Sequence, residues 1–290
     1  MRVITYNIQY GKGRDDHYDI DRTIQALPEA DIICLQEIEA YWGRSGNINQ
    51  VEHIAKHLGF FTIFGATVDV HKRLLSSDRS ARYVRRQFGN AIFSRWPILA
   101  TRTFLLPKLN PSNAHSIQRG ITEATIETAI GPLRVYTSHF SHLCDEERSI
   151  HAAFALDVHR RAIIEGPVMN GDHPDKTWLE EPPPDVPTNA LLMGDLNFTP
   201  SSPVYSMLAG GTSHMYGRLH LPDAFVDTWV AAGNAADEGH TAYRDWHAKT
   251  GKRIDYVFAS PALAPQVKSA EVLSDVDASD HQPLIVTFDI

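Results

Sequence analysis

The chain has 290 residues, of which 43% are hydrophobic and 21% charged, a composition typical of globular proteins that bury a sizeable core. This composition excludes disorder as the dominant state, and it excludes collagen-like and coiled-coil architectures. Lysine and arginine number 27 and aspartate and glutamate 35, so the net charge is −8. A surface devoted entirely to nucleic acid or to a membrane is therefore not expected, whereas a local basic patch is compatible with this balance.

Cys34 and Cys144 are the two cysteines, too few for a disulfide framework or a cysteine-based zinc site in a chain of this length. We therefore expect a reducing compartment, the cytoplasm. Apolar stretches fall short of the roughly 18 residues that a membrane-spanning helix needs, so stable membrane insertion is not expected. The first residues have the pattern of a strand and not of a signal peptide.

Short apolar runs bounded by turn residues predict many strands and few helices. In chain order the predicted strands are residues 2–7, 31–36, 60–64, 90–94, 98–104, 120–128, 133–139, 190–193, 254–259, 267–273 and 283–289. Helical patterns mark residues 20–27, 48–58 and 144–164. This succession indicates an α/β fold in which helices cover sheets that pack on each other.

Two segments have the character of insertions between strands. Residues 71–87 are basic, with Arg82, Arg85 and Arg86 among their cations, a pattern compatible with binding a polyanion or with a solvated loop. Residues 169–187 are rich in proline and acidic residues and are predicted as a loop, either a wall of a cleft or an ordinary surface excursion. Because strand patterns resume after each segment, residues 1–290 are predicted as a single domain.

Polar side chains gather at the ends of the predicted strands. They are Asn7, Glu37, His139, Asp195 with Asn197, and the pair Asp280 and His281 just before the last strand. Each residue alone is typical of a turn or a solvated surface. Because α/β sheets place their sites at the carboxyl ends of strands, the conjunction favours a site. Asp195 and Asn197 point to one face in extended chain and follow Gly194, which permits close approach of the backbone.

These residues lie in stretches that resemble the endonuclease/exonuclease/phosphatase family. The matching stretches, in the family's order, are residues 5–8, 35–37, 89–95, 138–140, 193–197, 253–258 and 279–284. The resemblance implies a four-layer αββα sandwich built on two packed mixed β-sheets. It also implies a metal-assisted hydrolase of phosphoesters, most simply a phosphodiesterase.

The resemblance implies roles for the residues that hold the metal and the water. Glu37 matches a ligand of Mg²⁺ or Mn²⁺, a cation that prefers oxygen donors, and Asn7 matches a residue that supports this metal site. Asp195 matches the general base for the attacking water. Asn197 matches an amide donor to the substrate phosphate.

The resemblance also implies roles for the histidines and their partners. His281 matches an imidazole at the scissile phosphate, with Asp280 as its orienting carboxylate, and Asp255 resembles an acidic residue that pairs with a site histidine. His139 matches a further imidazole that contacts the phosphate or the leaving group. Arg119 is expected to add positive charge for phosphate binding.

The sequence leaves the identity of the substrate undetermined. The Gly-x-Ser-x-Gly motif of serine hydrolases and the phosphate-binding loop of NTPases are absent from the sequence, which disfavours both classes. The predicted substrates are nucleic acid, bound through residues 72–86, or a phospholipid or small phosphodiester. A catalytically silent binding module with the same fold is the alternative from another class. The sequence predicts no particular protein partner.

Overall fold

Among the residues that the structure describes, the apolar runs of the sequence pair into two six-stranded β-sheets, accompanied by two small two-stranded ones. The computed structural model describes residues 1–72, 84–178, 180–182 and 184–290, so Arg82 of the basic segment lies outside the described residues. In chain order the strands are β1 (Arg2–Asn7), β2 (Ile32–Ala40), β3 (Phe61–His71), β4 (Arg85–Ser94), β5 (Ile98–Leu105), β6 (Gly120–Thr128), β7 (Gly131–His139), β8 (Ala190–Asp195), β9 (Thr212–Ser213), β10 (Gly217–Arg218), β11 (Val226–Asp227), β12 (Ala242–Asp245), β13 (Thr250–Lys252), β14 (Asp255–Ala259), β15 (Val267–Val272) and β16 (Leu284–Phe288).

Each large sheet contains one parallel pair of strands among antiparallel ones. The first sheet has the order β15-β16-β1-β2-β4-β3, and β1 and β2 are its parallel neighbours. The second has the order β11-β14-β8-β7-β6-β5, and β7 and β8 are parallel. Both sheets are therefore mixed, as the resemblance implied.

Most of the described helices begin after a polar residue whose side chain caps a free amide group. The helices are α1 (Ile20–Gln25), α2 (Gln50–Leu58), α3 (Asp145–Glu165), α4 (Pro203–Ala209) and α5 (Thr228–Ala231). The side chain of Asp19 accepts hydrogen bonds at the start of α1, and that of Asn49 does so for α2. Within the described part of the chain, none of the helices combines the length and the apolarity that crossing a membrane requires.

Three apolar clusters show how the sheets and helices are layered. Val3, Cys34 and Val135 belong to a cluster between the two sheets. Because successive strand residues face opposite ways, Ile4 points outward instead and packs with Ile24 of α1 and with residues of α2. Side chains of β7, β8 and β14 form the third cluster with α3 and α4 on the outer face of the second sheet. The layers are helix, sheet, sheet and helix, which confirms the predicted αββα sandwich.

The basic segment differs from an insertion loop where the structure describes it. Strand β3 continues to His71 and β4 begins at Arg85, and these two residues pair across an antiparallel hairpin. The two ends of segment 71–87 are thus arms of the first sheet. The proline-rich segment contains a short 3-10 turn, Lys176–Trp178, and its other described residues are irregular.

Candidate active site

The topology brings polar strand ends of both sheets to one edge of the sandwich. In the first sheet Asn7 ends β1 beside Gln36 of its parallel neighbour β2. In the second sheet His139 ends β7 beside Asp195 of β8, and Asp195 pairs on its other side with Asp255 at the start of β14. Since the sheets are stacked, these strand ends lie around a common space.

Glu37 reaches that space because β2 carries a bulge. The register between β2 and β4 shifts between Gln36 and Ile38, and Glu37 has a φ of +56°. A bulge re-aims the side chain at which it occurs, and the left-handed φ is a strained conformation for glutamate. Burial raises the pKa of the Glu37 carboxyl, which the nearby Arg119 guanidinium partly offsets. The strain and the burial indicate that the fold holds this carboxylate in place for a purpose other than stability.

Asp195 is held by groups from both sheets. Its Oδ2 lies 3.0 Å from Asn7 Nδ2 and 3.2 Å from His139 Nε2, while Oδ1 accepts a hydrogen bond from the Asn197 main-chain N–H. Gly194 before it has a φ of +149°, and a Cβ there would lie 1.8 Å from the carbonyl oxygen of Ser138. Burial raises the pKa of Asp195 to about 7. Only glycine lets β8 approach β7 closely enough to hold the aspartate in this position.

Two amide side chains connect the carboxylates and imidazoles. Asn7 donates through Nδ2 to Glu37 Oε1 at 3.4 Å and to Asp195 Oδ2 at 3.0 Å, so it bridges carboxylates of the two sheets. Asn197, with a φ of +55°, places Nδ2 at 3.0 Å from His139 Nε2. Asn7 and Asn197 therefore fix the relative positions of the acidic and imidazole groups.

The two predicted site histidines have opposite charge preferences. Burial lowers the pKa of His281, but the Asp255 and Asp195 carboxylates outweigh it and raise that pKa well above the ordinary value. His281 Nδ1 donates to Asp255 Oδ2 at 2.8 Å. Burial, together with the positive charge of Arg119, lowers the pKa of His139 well below the ordinary value. At neutral pH we infer an imidazolium at His281 and a neutral ring at His139.

The carboxylate that contacts His281 is Asp255, which corrects the expectation that Asp280 orients this ring. Asp280 is exposed, and its Oδ2 accepts a hydrogen bond from Gln9 Nε2 at 3.1 Å. Its backbone carbonyl accepts one from Arg14. The side chain turns away from its neighbour in sequence because His281 enters the buried site, where Asp255 already lies.

Arg119 is a buried cation that faces the same space. Its exposed fraction is 7%, and burial lowers the pKa of its guanidinium. Nη2 lies 3.4 Å from His142 Nδ1, and no carboxylate of the described chain comes within 4 Å of it. A buried charge without a partner is costly, so this guanidinium is suited to an anion from solution.

These side chains line one cavity of about 520 Å³, a size usual for small-molecule sites. The cavity contains Asn7, Glu37, Arg119, His139, Asp195, Asn197 and His281. Phe88 also lines it, together with residues that the sequence analysis missed, namely Tyr10, Trp42, Arg44, Val68, His115, Ile117 and His142. His142, three residues after His139, is the one whose position in the sequence could have suggested a role.

The donor groups of the site fit a hard divalent cation. Glu37 opens onto the cavity, with 20% of its side chain exposed, and the oxygen donors around it are of the kind that Mg²⁺ and Mn²⁺ prefer. Asp195, Asp255 and His281 also place ligand atoms within 4.8 Å of one another. A cation among those three would disrupt the hydrogen bond between His281 and Asp255, so Glu37 with its support Asn7 is the better position for a metal.

Comparison with known proteins agrees with the fold and the motifs. No curated protein sequence matches the chain significantly. An endonuclease/exonuclease/phosphatase from Beutenbergia cavernae DSM 12333 is similar in structure, with a TM-score of 0.63 and 22% identity over 99% of this chain and 70% of that one. A mannosyl-6-phosphatase from Bacteroides thetaiotaomicron VPI-5482 has a TM-score of 0.62 and 18% identity, covering 99% and 98% of the two chains.

A humanized TDP2 from D. rerio is similar as well, with a TM-score of 0.59 and 16% identity over 100% of this chain and 99% of that one. At these identities the likenesses show a shared fold. The sequence profile described as the Endonuclease/Exonuclease/phosphatase family matches residues 4–281, nearly the whole chain. The chain belongs to the Endonuclease/Exonuclease/phosphatase family and has the fold of its phosphoesterases.

Proposed function

We propose that this protein is a Mg²⁺- or Mn²⁺-dependent hydrolase of phosphodiesters that acts through attack by an activated water. The observation that supports this most directly is the bridge made by Asn7 between Glu37 of the first sheet and Asp195 of the second. It places a candidate metal ligand and a candidate base on either side of one amide. The histidines and Arg119 border the same cavity.

Glu37 would hold the cation, with Asn7 keeping its carboxylate in place. When bound there, a divalent cation supplies positive charge to a phosphate oxygen and makes the phosphorus more electrophilic. Burial raises the pKa of the Glu37 carboxyl, and a neighbouring cation would offset that effect by favouring its ionised form.

Asp195 would accept the proton of the attacking water at Oδ1 or Oδ2. Its pKa of about 7 is near the value at which a carboxylate is both ionised and basic enough to act as a base at neutral pH. A positioned base typically contributes about 10²–10⁴-fold to the rate. Asn7 and Asn197 hold the carboxylate in one orientation, which favours attack in a fixed direction.

His281, Asn197 and Arg119 would bind the phosphate oxygens. The Asp255 carboxylate keeps Nδ1 of His281 protonated, so Nε2 presents its N–H toward the space beside Asp195. A cationic imidazole and a buried guanidinium both stabilise the charge that grows on the phosphate in the transition state. The neutral His139 contacts Asn197 and would contribute by holding the Asn197 side chain in position.

A panel of phosphoesters supplied with Mg²⁺ or Mn²⁺ tests the proposal. We expect turnover of bis(p-nitrophenyl) phosphate that disappears with a chelator and returns when the metal is restored. Absence of turnover on diesters and monoesters with either metal would contradict the proposal and support the silent binding module. Turnover of monoesters alone would restrict the activity to a phosphatase.

Two described cations of the basic segment, Lys72 and Arg85, are engaged within the protein, which favours a small diester over nucleic acid. Lys72 donates to the Tyr41 carbonyl and the Asn47 side chain, and Arg85 pairs with Asp69. A nuclease would instead show hydrolysis of DNA or RNA that falls steeply with salt and with neutralisation of Arg82, Arg85 and Arg86 together. Intact nucleic acid alongside diester turnover is the expected result.

A further inference from the structure

One wall of the cavity is a rigid stack of aromatic rings and a guanidinium. Arg44 lies with its guanidinium carbon 3.7 Å from the ring centroid of Tyr10 and 4.8 Å from that of Trp42. The same guanidinium donates to Glu39, a carboxylate with no exposed surface, at 2.7 Å. The charge of Arg44 is therefore compensated from within, and the contacts immobilise both rings.

The rest of this wall is apolar. The indole N–H of Trp42 donates to the Gln87 carbonyl at 2.8 Å, so its hydrogen-bonding group is already occupied. Val68, Phe88 and Ile117 complete the lining on the same cavity. These side chains come from the first sheet and from two loops, and none of them offers a hydrogen-bond donor or a free charge.

We propose that this wall, formed by Trp42, Val68, Phe88 and Ile117, binds an apolar organic group of aryl size on the substrate's phosphate. The inference rests on the proposed function, because the phosphate itself is placed between Arg119 and His281. It identifies the substrate class as a compact phosphodiester with a planar or apolar substituent, and not a polyanion that continues past the scissile phosphate.

The charges of the cavity support its division into a phosphate-binding part at Arg119 and His281 and an apolar part at the wall. A second phosphate next to the first would need unpaired cations. Two guanidinium groups pack on Trp42: that of Arg44, which lines the cavity, is neutralised by Glu39, and that of Arg86 does not line the cavity. Immobilised aromatic surface loses little conformational freedom on binding and gains from removing apolar surface from water. Arg119, which has no carboxylate within 4 Å among the described residues, lies beside His142 and lines the same cavity as Glu37 and Asp195.

Binding of two uncleavable mimics tests the proposal without requiring turnover. Methylphenylphosphinate and dimethylphosphinate are monoanions like a phosphodiester, carry no ester bond and differ by one aryl group. Their Kd values are measured by calorimetry on the full chain with Mg²⁺ present. We expect the phenyl compound to bind roughly tenfold more tightly or better, which corresponds to burial of one aromatic group.

Substitutions of wall residues test whether the wall causes the tighter binding of the phenyl compound. Trp42→Ala and Val68→Ala should each reduce the ratio of the two Kd values by about threefold or more, and Trp42→Phe should preserve most of it. Trp178→Ala, which alters an exposed tryptophan away from the cavity lining, is the matched control and should leave the ratio unchanged.

Equal Kd values for the two phosphinates would overturn the proposal, as would a ratio that Trp42→Ala and Val68→Ala leave intact. Tighter binding of a short oligonucleotide than of methylphenylphosphinate would also overturn it, in favour of a polyanion. Failure of the proposed function is seen separately, as the absence of turnover on the phosphoester panel while the phosphinate ratio persists.

Discussion

Asp195 makes more polar contacts within the candidate site than a purely structural aspartate would need. Its oxygens meet Asn7, His139 and the Asn197 main chain, and burial raises its pKa to about 7. Placing a carboxylate among these partners without solvent costs stability, and such costs are typical of catalytic positions. Perturbed carboxylates in a cavity are expected at catalytic positions.

Replacing Asp195 with Asn should lower kcat for diester hydrolysis by about 10²-fold or more, because the amide cannot take a proton from water. The shape is preserved, so the thermal unfolding profile should stay close to that of the unsubstituted protein. Steady-state kinetics measure the effect, and Asp185→Asn, at an exposed position, serves as the control. A near-normal kcat in Asp195→Asn would remove this residue from the role of base.

Asp255→Asn should lower the pKa of the His281 imidazole, because the carboxylate at 2.8 Å raises that pKa in the unsubstituted protein. NMR titration of the ring measures the shift, and kcat should fall with it. Asp280→Asn is the matched control at the adjacent position and should have a much smaller effect. An equal shift in both variants would mean that Asp255 does not hold the imidazolium.

At this scale the sequence predicted which side chains belong to the site but not every contact among them. Asn7, Glu37, His139, Asp195 and Asn197 follow apolar runs and could be found. The sequence did not reveal which carboxylate binds His281, because Asp280 is its neighbour in sequence and Asp255 is its neighbour in space. That choice depends on how β14 pairs with β8, which is a tertiary property.

Strand β8 depends on a glycine at the position before its last residue, Asp195. Gly194 faces the carbonyl of Ser138 on β7, where a side chain would collide with backbone. The element therefore combines an unusual backbone conformation with a polar terminus, and both serve to place Asp195. Strain of this kind concentrates at functional sites.

Gly194→Ala should destabilise the protein by about 2 kcal/mol or more, because the Cβ would have to displace the backbone of a buried parallel strand pair. Chemical denaturation measures the change in the free energy of unfolding. Gly211→Ala is the control, since a Cβ there meets nothing within 4 Å. Equal stability of the two variants would show that the approach of β7 and β8 is not tight.

Helix α3 carries a histidine whose burial makes stability depend on pH. Burial, followed by the charges of Arg134 and Arg160, lowers the pKa of His159 to about 4, while Asp223 opposes this. The unfolded chain takes up a proton as the pH falls below about 6.5, and the folded protein does so only near 4. The contribution to stability is therefore complete above pH 6.5 and is lost progressively as the pH falls from 6.5 to 4.

The decrease in the free energy of unfolding assigned to His159 is on the order of 3 kcal/mol between pH 6.5 and pH 4. Urea denaturation at several pH values measures how the free energy of unfolding depends on pH. Between pH 6.5 and 4 the slope of this free energy against pH should be smaller for His159→Gln than for the unsubstituted protein. His173→Gln, at an exposed position in the proline-rich loop, is the control and should keep the original slope. An unaltered slope in His159→Gln would contradict the assignment.

The sequence predicted the existence of the long strands better than their bounds and irregularities: β3 and β4 are about twice as long as predicted. The predicted strand 120–128 coincides with β6, because its residues are almost all buried. Strand β2 extends beyond its predicted end through the bulge at Glu37, which no local pattern signals. Strands β9–β13 have two to four residues and form through tertiary pairing, so periodicity does not reveal them.

Over the whole molecule, polar side chains join the two sheets beneath the site. Gln36, fully buried next to Glu37, donates to Thr5 at 3.1 Å in its own sheet and to Thr137 at 3.0 Å in the other. A satisfied buried amide fixes one relative arrangement of the parts it joins. The spacing between the Glu37 strand and the strand of His139 is thus set by the packing of the sandwich.

Titration of diester turnover with Mn²⁺ in the unsubstituted protein and in Glu37→Gln tests the proposal that hydrolysis depends on a metal held by Glu37 at the junction of the two sheets. We expect saturable activation by Mn²⁺ and, in Glu37→Gln, a midpoint shifted to roughly tenfold higher Mn²⁺ or beyond. Turnover that needs no divalent cation, or one midpoint shared by both proteins, would contradict it.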